Sequence, residues 1–142
     1  TAITDATLNN LFDDVSGDEN AASDVEYRCI FVHNAHATLT WQSVVVWLSA
    51  ETAGGANAAI AIDGVAASAI GQAAAQADEV ANEGTAPTGE SFSSPTTKAT
   101  GLSLGNLAAG NCRAVWVRRS AANTAALDND SVTIKAEGDT AA

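Results

Sequence analysis

Apolar residues in this chain alternate, or gather in short runs, between clusters of turn-forming residues. Val25–Val32 is the clearest strand, rich in β-branched and aromatic residues. Its core, Tyr27-Arg28-Cys29-Ile30-Phe31-Val32, has a near twin in Cys112-Arg113-Ala114-Val115-Trp116-Val117. Aligned on Arg28 and Arg113, both read arginine, small residue, β-branched residue, aromatic, valine. Each twin carries one of the two cysteines. A period of two places Ile30, Val32, Val115 and Val117 on one side of their strands, with Phe31 and Trp116 on the other. Two apolar sides imply a core on one side and a loop or a neighbouring subunit on the other.

Further strands are predicted over Ala37–Ser49 (one long or two short), Ala58–Ile62, Leu102–Leu104, Cys112–Arg118 and Ser131–Ala136. Turn signals separate them at His33–His36, Gly54-Gly55, Asp63-Gly64, Gly105–Gly110 and Asn129-Asp130. Val44–Leu48 is apolar on both faces, which implies burial on both sides or an oligomer contact. Between Ala66 and Val80, alanine and glutamine favour helix, yet Ile70 and Val80 leave a helix little to bury. That piece reads as a loop or weak strand, with a short helix as the alternative.

The pattern is all-β. It predicts one β-sandwich over residues 1–142, jelly-roll or immunoglobulin-like, since strand pattern does not encode strand order. Residues 1–24 read as an N-terminal arm, with Thr7–Val15 extended or a short strand and Gly17–Ser23 a polar turn. Residues 82–100 form a long polar loop, with Phe92 either tucked onto the core or offered to a neighbour. Residues 137–142 read as a flexible tail.

Composition changes this picture in two ways. Aromatics are only 5% of the chain, so the core depends on few large side chains, and assembly would add stability. The charge of -11, from six basic and seventeen acidic residues, argues against binding nucleic acid or an anionic membrane. It suits a partner with a basic surface. No segment approaches the length of a membrane span, and no signal peptide is expected.

Candidate chemistry is sparse. His33 and His36 make an H-x-x-H pair without the four ligands of a structural zinc site, and read as turn histidines. Asp13, Asp14, Asp18, Glu19 and Asp24 cluster without calcium-loop spacing. There is no G-x-S-x-G elbow and no phosphate-binding glycine loop. The two cysteines read as buried free thiols. No catalytic residue, cofactor site or metal site is assigned. Arg113, Arg118 and Arg119 are the one dense basic group, explained either by ion pairs within the chain or by contacts between subunits. Phe12, Phe92, Arg118 and Arg119 are the candidate intersubunit contacts.

Leu11–Gly17, Glu26–Asn34, Gly101–Arg119 and Glu137–Thr140 together resemble small structural proteins of tailed-phage virions. Among these, capsid cement or decoration proteins are the most similar: short, β-rich and non-enzymatic. The resemblance implies a homo-oligomer, dimer or trimer, assembled in the host cytoplasm. It would dock on the major capsid protein at the outer surface of the virion. It carries over no functional residue. A tail or head-tail connector component is the alternative within that class. A carbohydrate-binding β-sandwich, with Trp41, Trp47 and Trp116 stacking on sugars, is the alternative outside it.

Overall fold

The structure, a computed structural model, describes Thr7, residues 9–72 and residues 74–140. Its strands are β1 (Val25–His33), β2 (Trp41–Glu51), β3 (Asn57–Ile62), β4 (Ser68–Ala69), β5 (Leu102–Leu107), β6 (Asn111–Ser120) and β7 (Val132–Thr140). One sheet has the order β1-β6-β3, with the short β4 also paired to β6, and the other has the order β5-β2-β7. Every strand pair is antiparallel. The two sheets pack face to face as a β-sandwich.

Strand order separates the two connections that the sequence left open. β1 pairs with β6 in one sheet, while their chain neighbours β2 and β5 pair in the other. A two-stranded ribbon has been rolled over on itself, which is jelly-roll connectivity. Immunoglobulin-like sheets pair chain neighbours. Among the described residues no strand does so.

The core forms where the inner faces meet. Val44, Val46 and Leu48 of β2 pack with Ile60 of β3, Leu104 and Leu107 of β5, and Val115 and Val117 of β6. Ile30 and Val32 of β1 join that cluster. The register explains their common side: Ile30 lies opposite Val115, and Cys29 lies opposite Trp116. Trp116 therefore points to the outer face, where it is buried, whereas Phe31 on the same face is 47% exposed. Cys112 lies opposite His33, four positions from the Cys29 pair, so about 13 Å of ribbon separates the thiols. Both are free.

Several local expectations are corrected. Gly17–Ser23 is not a plain turn, because Gly17–Ala22 forms a helix, α1. Ser16 caps it: its Oγ accepts from the Glu19 amide at 3.3 Å, and Glu19 Oε2 accepts from the Ser16 amide at 2.6 Å. This S-x-x-E capping box was present in the sequence. Hydrogen bonds from the Ser16 amide, and then from its side chain, hold the Glu19 carboxyl below its usual range. The strand predicted from Ala37 starts only at Trp41. Buried Asn34 holds the preceding turn, donating to the carbonyls of Leu39 (2.8 Å) and Leu107 (2.9 Å).

Residues 137–140, expected in a flexible tail, are paired strand: Glu137 lies opposite Val45 and Thr140 opposite Trp41. Gly138 permits that closure, since a Cβ there would stand 2.5 Å from the Gln42 carbonyl oxygen and 2.8 Å from Trp41 Nε1. Residues 141–142, like residues 1–6 and 8 of the expected arm, lie outside the described residues. In the ambiguous stretch from Ala66 to Val80, the described residues form no helix, and only Ser68–Ala69 pairs as strand.

The 82–100 stretch is irregular over most of its length, and it closes one open side of the sandwich. Ser93 exchanges backbone hydrogen bonds with Ile60 on the free edge of β3, at 2.8 and 3.0 Å. Two residues later the Pro95 carbonyl accepts from Leu48 of β2 at 2.8 Å. One short segment thus bridges both sheets.

Ile60 is fully buried at the meeting of β3, the core and this bridging loop. Ile60→Ala should lower unfolding free energy by about 2–5 kcal/mol. Chemical denaturation measures the loss, and a change below about 1 kcal/mol would contradict this packing.

Candidate functional site

The most concentrated polar chemistry lies on the outer face of the β1-β6-β3 sheet. Asp63 directly follows Ile62 at the end of β3 and is fully buried. Its Oδ2 accepts from Trp116 Nε1 at 2.8 Å and from the Asp78 amide at 2.9 Å. Its Oδ1 accepts from the Val65 amide at 2.7 Å. A buried carboxylate is tolerated only with such partners. In return it ties the loop after β3 onto the face of β6.

Asp78 and Glu90 converge on the same spot. With Asp63 they bring one carboxylate oxygen each to within 4.8 Å of one another. Glu90 Oε1 accepts from the Gly64 amide at 2.9 Å. Among the described residues this is the one His/Cys/Asp/Glu group near enough to share a cation. Three carboxylates fall short of the six to eight oxygens calcium takes. Asp63 already serves three donors, so its established role here is structural. In the sequence the visible acidic cluster lies at residues 13–24, and Asp63-Gly64 carries only a turn signal. The sole available signal was an aspartate ending an apolar strand.

The cysteines share this covered face. Burial, and then the charge of Asp63, push the Cys29 thiol up to about 12. Burial also raises Cys112, whose sulfur receives Gln76 Nε2 at 3.5 Å. Gln76 Nε2 lies within hydrogen-bond distance of Ser68 Oγ (2.7 Å) and the Ala69 carbonyl (2.9 Å) as well, stitching the loop to β4. Neither histidine takes part. His36 Nδ1 accepts from the amides of Thr38 and Leu39 at 3.1 and 2.9 Å, which makes it a turn organiser.

The four candidate contact residues form two arginine–aromatic clamps, one on each face of the sheet. Arg118 lies opposite Tyr27, and Arg119 opposite Glu26, so adjacent arginines point to opposite faces. On the outer face, Phe92 meets the Tyr27 ring edge-on at 5.4 Å, and the Arg118 guanidinium sits 5.4 Å from the Phe92 centroid. On the inner face, Phe12 lies 5.4 Å from the Arg28 guanidinium and 4.9 Å from that of Arg119. Arg119 also bonds to the buried Glu26 carboxylate and to the Asp13 carbonyl. Phe92 is therefore folded back on its own chain. Each clamp uses the cation–π attraction of an arginine to fasten an irregular segment. Phe92 holds the long loop, and Phe12 holds the segment before α1.

The inner-face clamp stands at one end of a cleft of about 1350 Å³ between β1 and β7. Ile30 and Val32 form one wall, Val132 and Ile134 the other. Leu11 and Phe12 enter it from the N-terminal segment. The opposite side of the sandwich, at β3, is bridged by the 93–95 segment, so the two open sides are closed unequally.

Compared with protein families, curated proteins and solved structures, the chain matches none of them.

Two measurements test this site. Asp63→Ala strands the Trp116 indole N–H and two backbone amides, and each buried unsatisfied donor costs about 1–3 kcal/mol. Thermal unfolding should show a severe loss, and an unchanged midpoint would remove Asp63 from this role. At pH 8, Cys29 in the folded protein should react with iodoacetamide on the order of a thousandfold more slowly than in denaturant, because its thiolate is so scarce. Comparable native and denatured rates for Cys29 would refute the burial.

Proposed function

We propose that this chain is a non-enzymatic virion structural protein that binds the outer surface of a phage capsid and stabilises the shell. It acts as a cement or decoration protein, docking as a dimer or trimer on the major capsid protein. The observation that carries this reading is the disposition of charge. Of six basic residues, Arg28 pairs with Glu83, Lys98 with Glu137, and Arg119 with Glu26 and Asp13. The seventeen acidic residues far exceed these internal partners, and most lie exposed or half-exposed on the surface. Such a surface keeps the subunit soluble at high local concentration and is attracted to a basic lattice. Repeated weak sites on a shell then give avidity without one dominant contact.

A stapled β-sandwich suits that task, because its loops are fastened to its own sheets. The carbohydrate-binding alternative needs exposed indoles, whereas Trp47 and Trp116 are 7% and 3% exposed.

Purified shells lacking the protein should bind it saturably, at a fixed ratio to shell subunits. Binding should weaken as ionic strength rises, because screening shortens to about 3 Å at 1 M salt. Sedimentation with the shells measures both, and absence of binding at low salt would reject the reading.

A further inference from the structure

We propose that the cleft between β1 and β7 receives an extended segment of a partner protein, one that alternates basic and apolar residues and pairs with the free edge of β7. The inference stands on the cleft alone and does not depend on the capsid reading.

Three observations define the occupant. The first is an open strand edge. β7 runs nine residues at the end of its sheet, and among the described residues β2 is the only strand that pairs with it. A long unpaired edge is a template for another strand, which natural proteins usually cover, shorten or interrupt. An incoming strand gains main-chain hydrogen bonds there, with side-chain positions alternating inward and outward.

The second is an apolar interior that the described residues leave partly open. Val115 and Val117 at the centre of the core are fully buried, while Ile30, Val32, Val132 and Ile134 along the cleft are only partly so. These four face the space that a strand added beside β7 would cover. Apolar side chains of that strand would enter it, burying surface that water now reaches.

The third is charge. Among the described residues, the carboxylates lining the cleft are Asp13, Asp14, Asp128 and Asp130, and the only basic lining residue is Arg119. Arg119 is already bonded to Glu26 and to the Asp13 carbonyl. The rim is therefore negative and attracts lysine or arginine on the partner. The same rim, on a chain of charge -11, opposes a second copy of this chain as the occupant.

The test uses the full chain and capped nine-residue peptides that alternate valine with lysine, valine with glutamate, or valine with lysine around a central proline. The valine–lysine peptide should bind at micromolar concentration by fluorescence anisotropy. It should also slow amide exchange in Val132–Thr140. The glutamate and proline peptides should bind at least tenfold more weakly, the first by repulsion and the second by loss of pairing. Asp14→Lys with Asp128→Lys, both at exposed positions, should weaken the lysine peptide at least tenfold and leave the circular dichroism spectrum unchanged. The proposal is overturned if the lysine peptide does not bind, if it binds without protecting β7, or if the glutamate peptide binds as well. Protection of β7 that rises with protein concentration in the absence of peptide would assign the cleft to a second copy, and would also overturn it.

Discussion

Strand β6 must be covered on both faces, and the rest of the structure follows from how that is done. On the inner face Val115 and Val117 pack into the core of the sandwich. On the outer face Trp116 cannot meet a second sheet, because the described residues form none on that side. A loop covers it, and loop backbone carries polar groups that resist burial. Asp63 reconciles these demands. Its carboxylate takes the indole N–H and two loop amides at once, so the loop lies on the tryptophan with its polar groups satisfied. Without that group the apolar outer surface of β6 would face water.

The same problem recurs at the irregular segments, and arginine is the repeated answer. The stretch before α1 and the long loop before β5 are irregular over most of their length. Phe12 and Phe92 anchor them, each against guanidinium groups projecting from the sheet. Arg119 adds hydrogen bonds to Glu26 and to the Asp13 carbonyl, which fixes the inner-face clamp in register with β1. In a chain with six basic residues this use of three arginines leaves the exterior strongly acidic. Internal fastening and external charge are thus two results of one distribution.

Closure of the sandwich is unequal for a topological reason. Rolling the ribbon puts β3 at one margin of its sheet and β1 at the other. The connection from β4 to β5 is long, and it passes the β3 margin, where Ser93 and Pro95 hydrogen-bond to both sheets. At the β1 and β7 margin the segment around Leu11 and Phe12 and the loop between β6 and β7 line the opening without pairing across both sheets. The resulting cleft retains partly exposed apolar walls and an acidic rim.

Much of this was already legible along the chain. The period-two alternation specified that Ile30, Val32, Val115 and Val117 share a side and that Trp116 points away, because a strand has only two sides. Ser16 and Glu19 carry a helix cap that is local and readable, although the polar composition around it also suits a turn. Strand identity, class and the scarcity of basic residues were also local or summed properties, which sequence determines by itself. Strand order decided the rest. It made the connection jelly-roll, drew 137–140 into the β2 ladder, and set Arg118 and Arg119 against aromatics 26 and 107 positions away. It also gathered Asp63, Asp78 and Glu90 from separate turns and set Asp63 against Trp116, 53 positions later. These are contacts between residues distant in the chain, and no local pattern encodes them. They depend on which faces meet once the ribbon is rolled, and only the tertiary structure decides that.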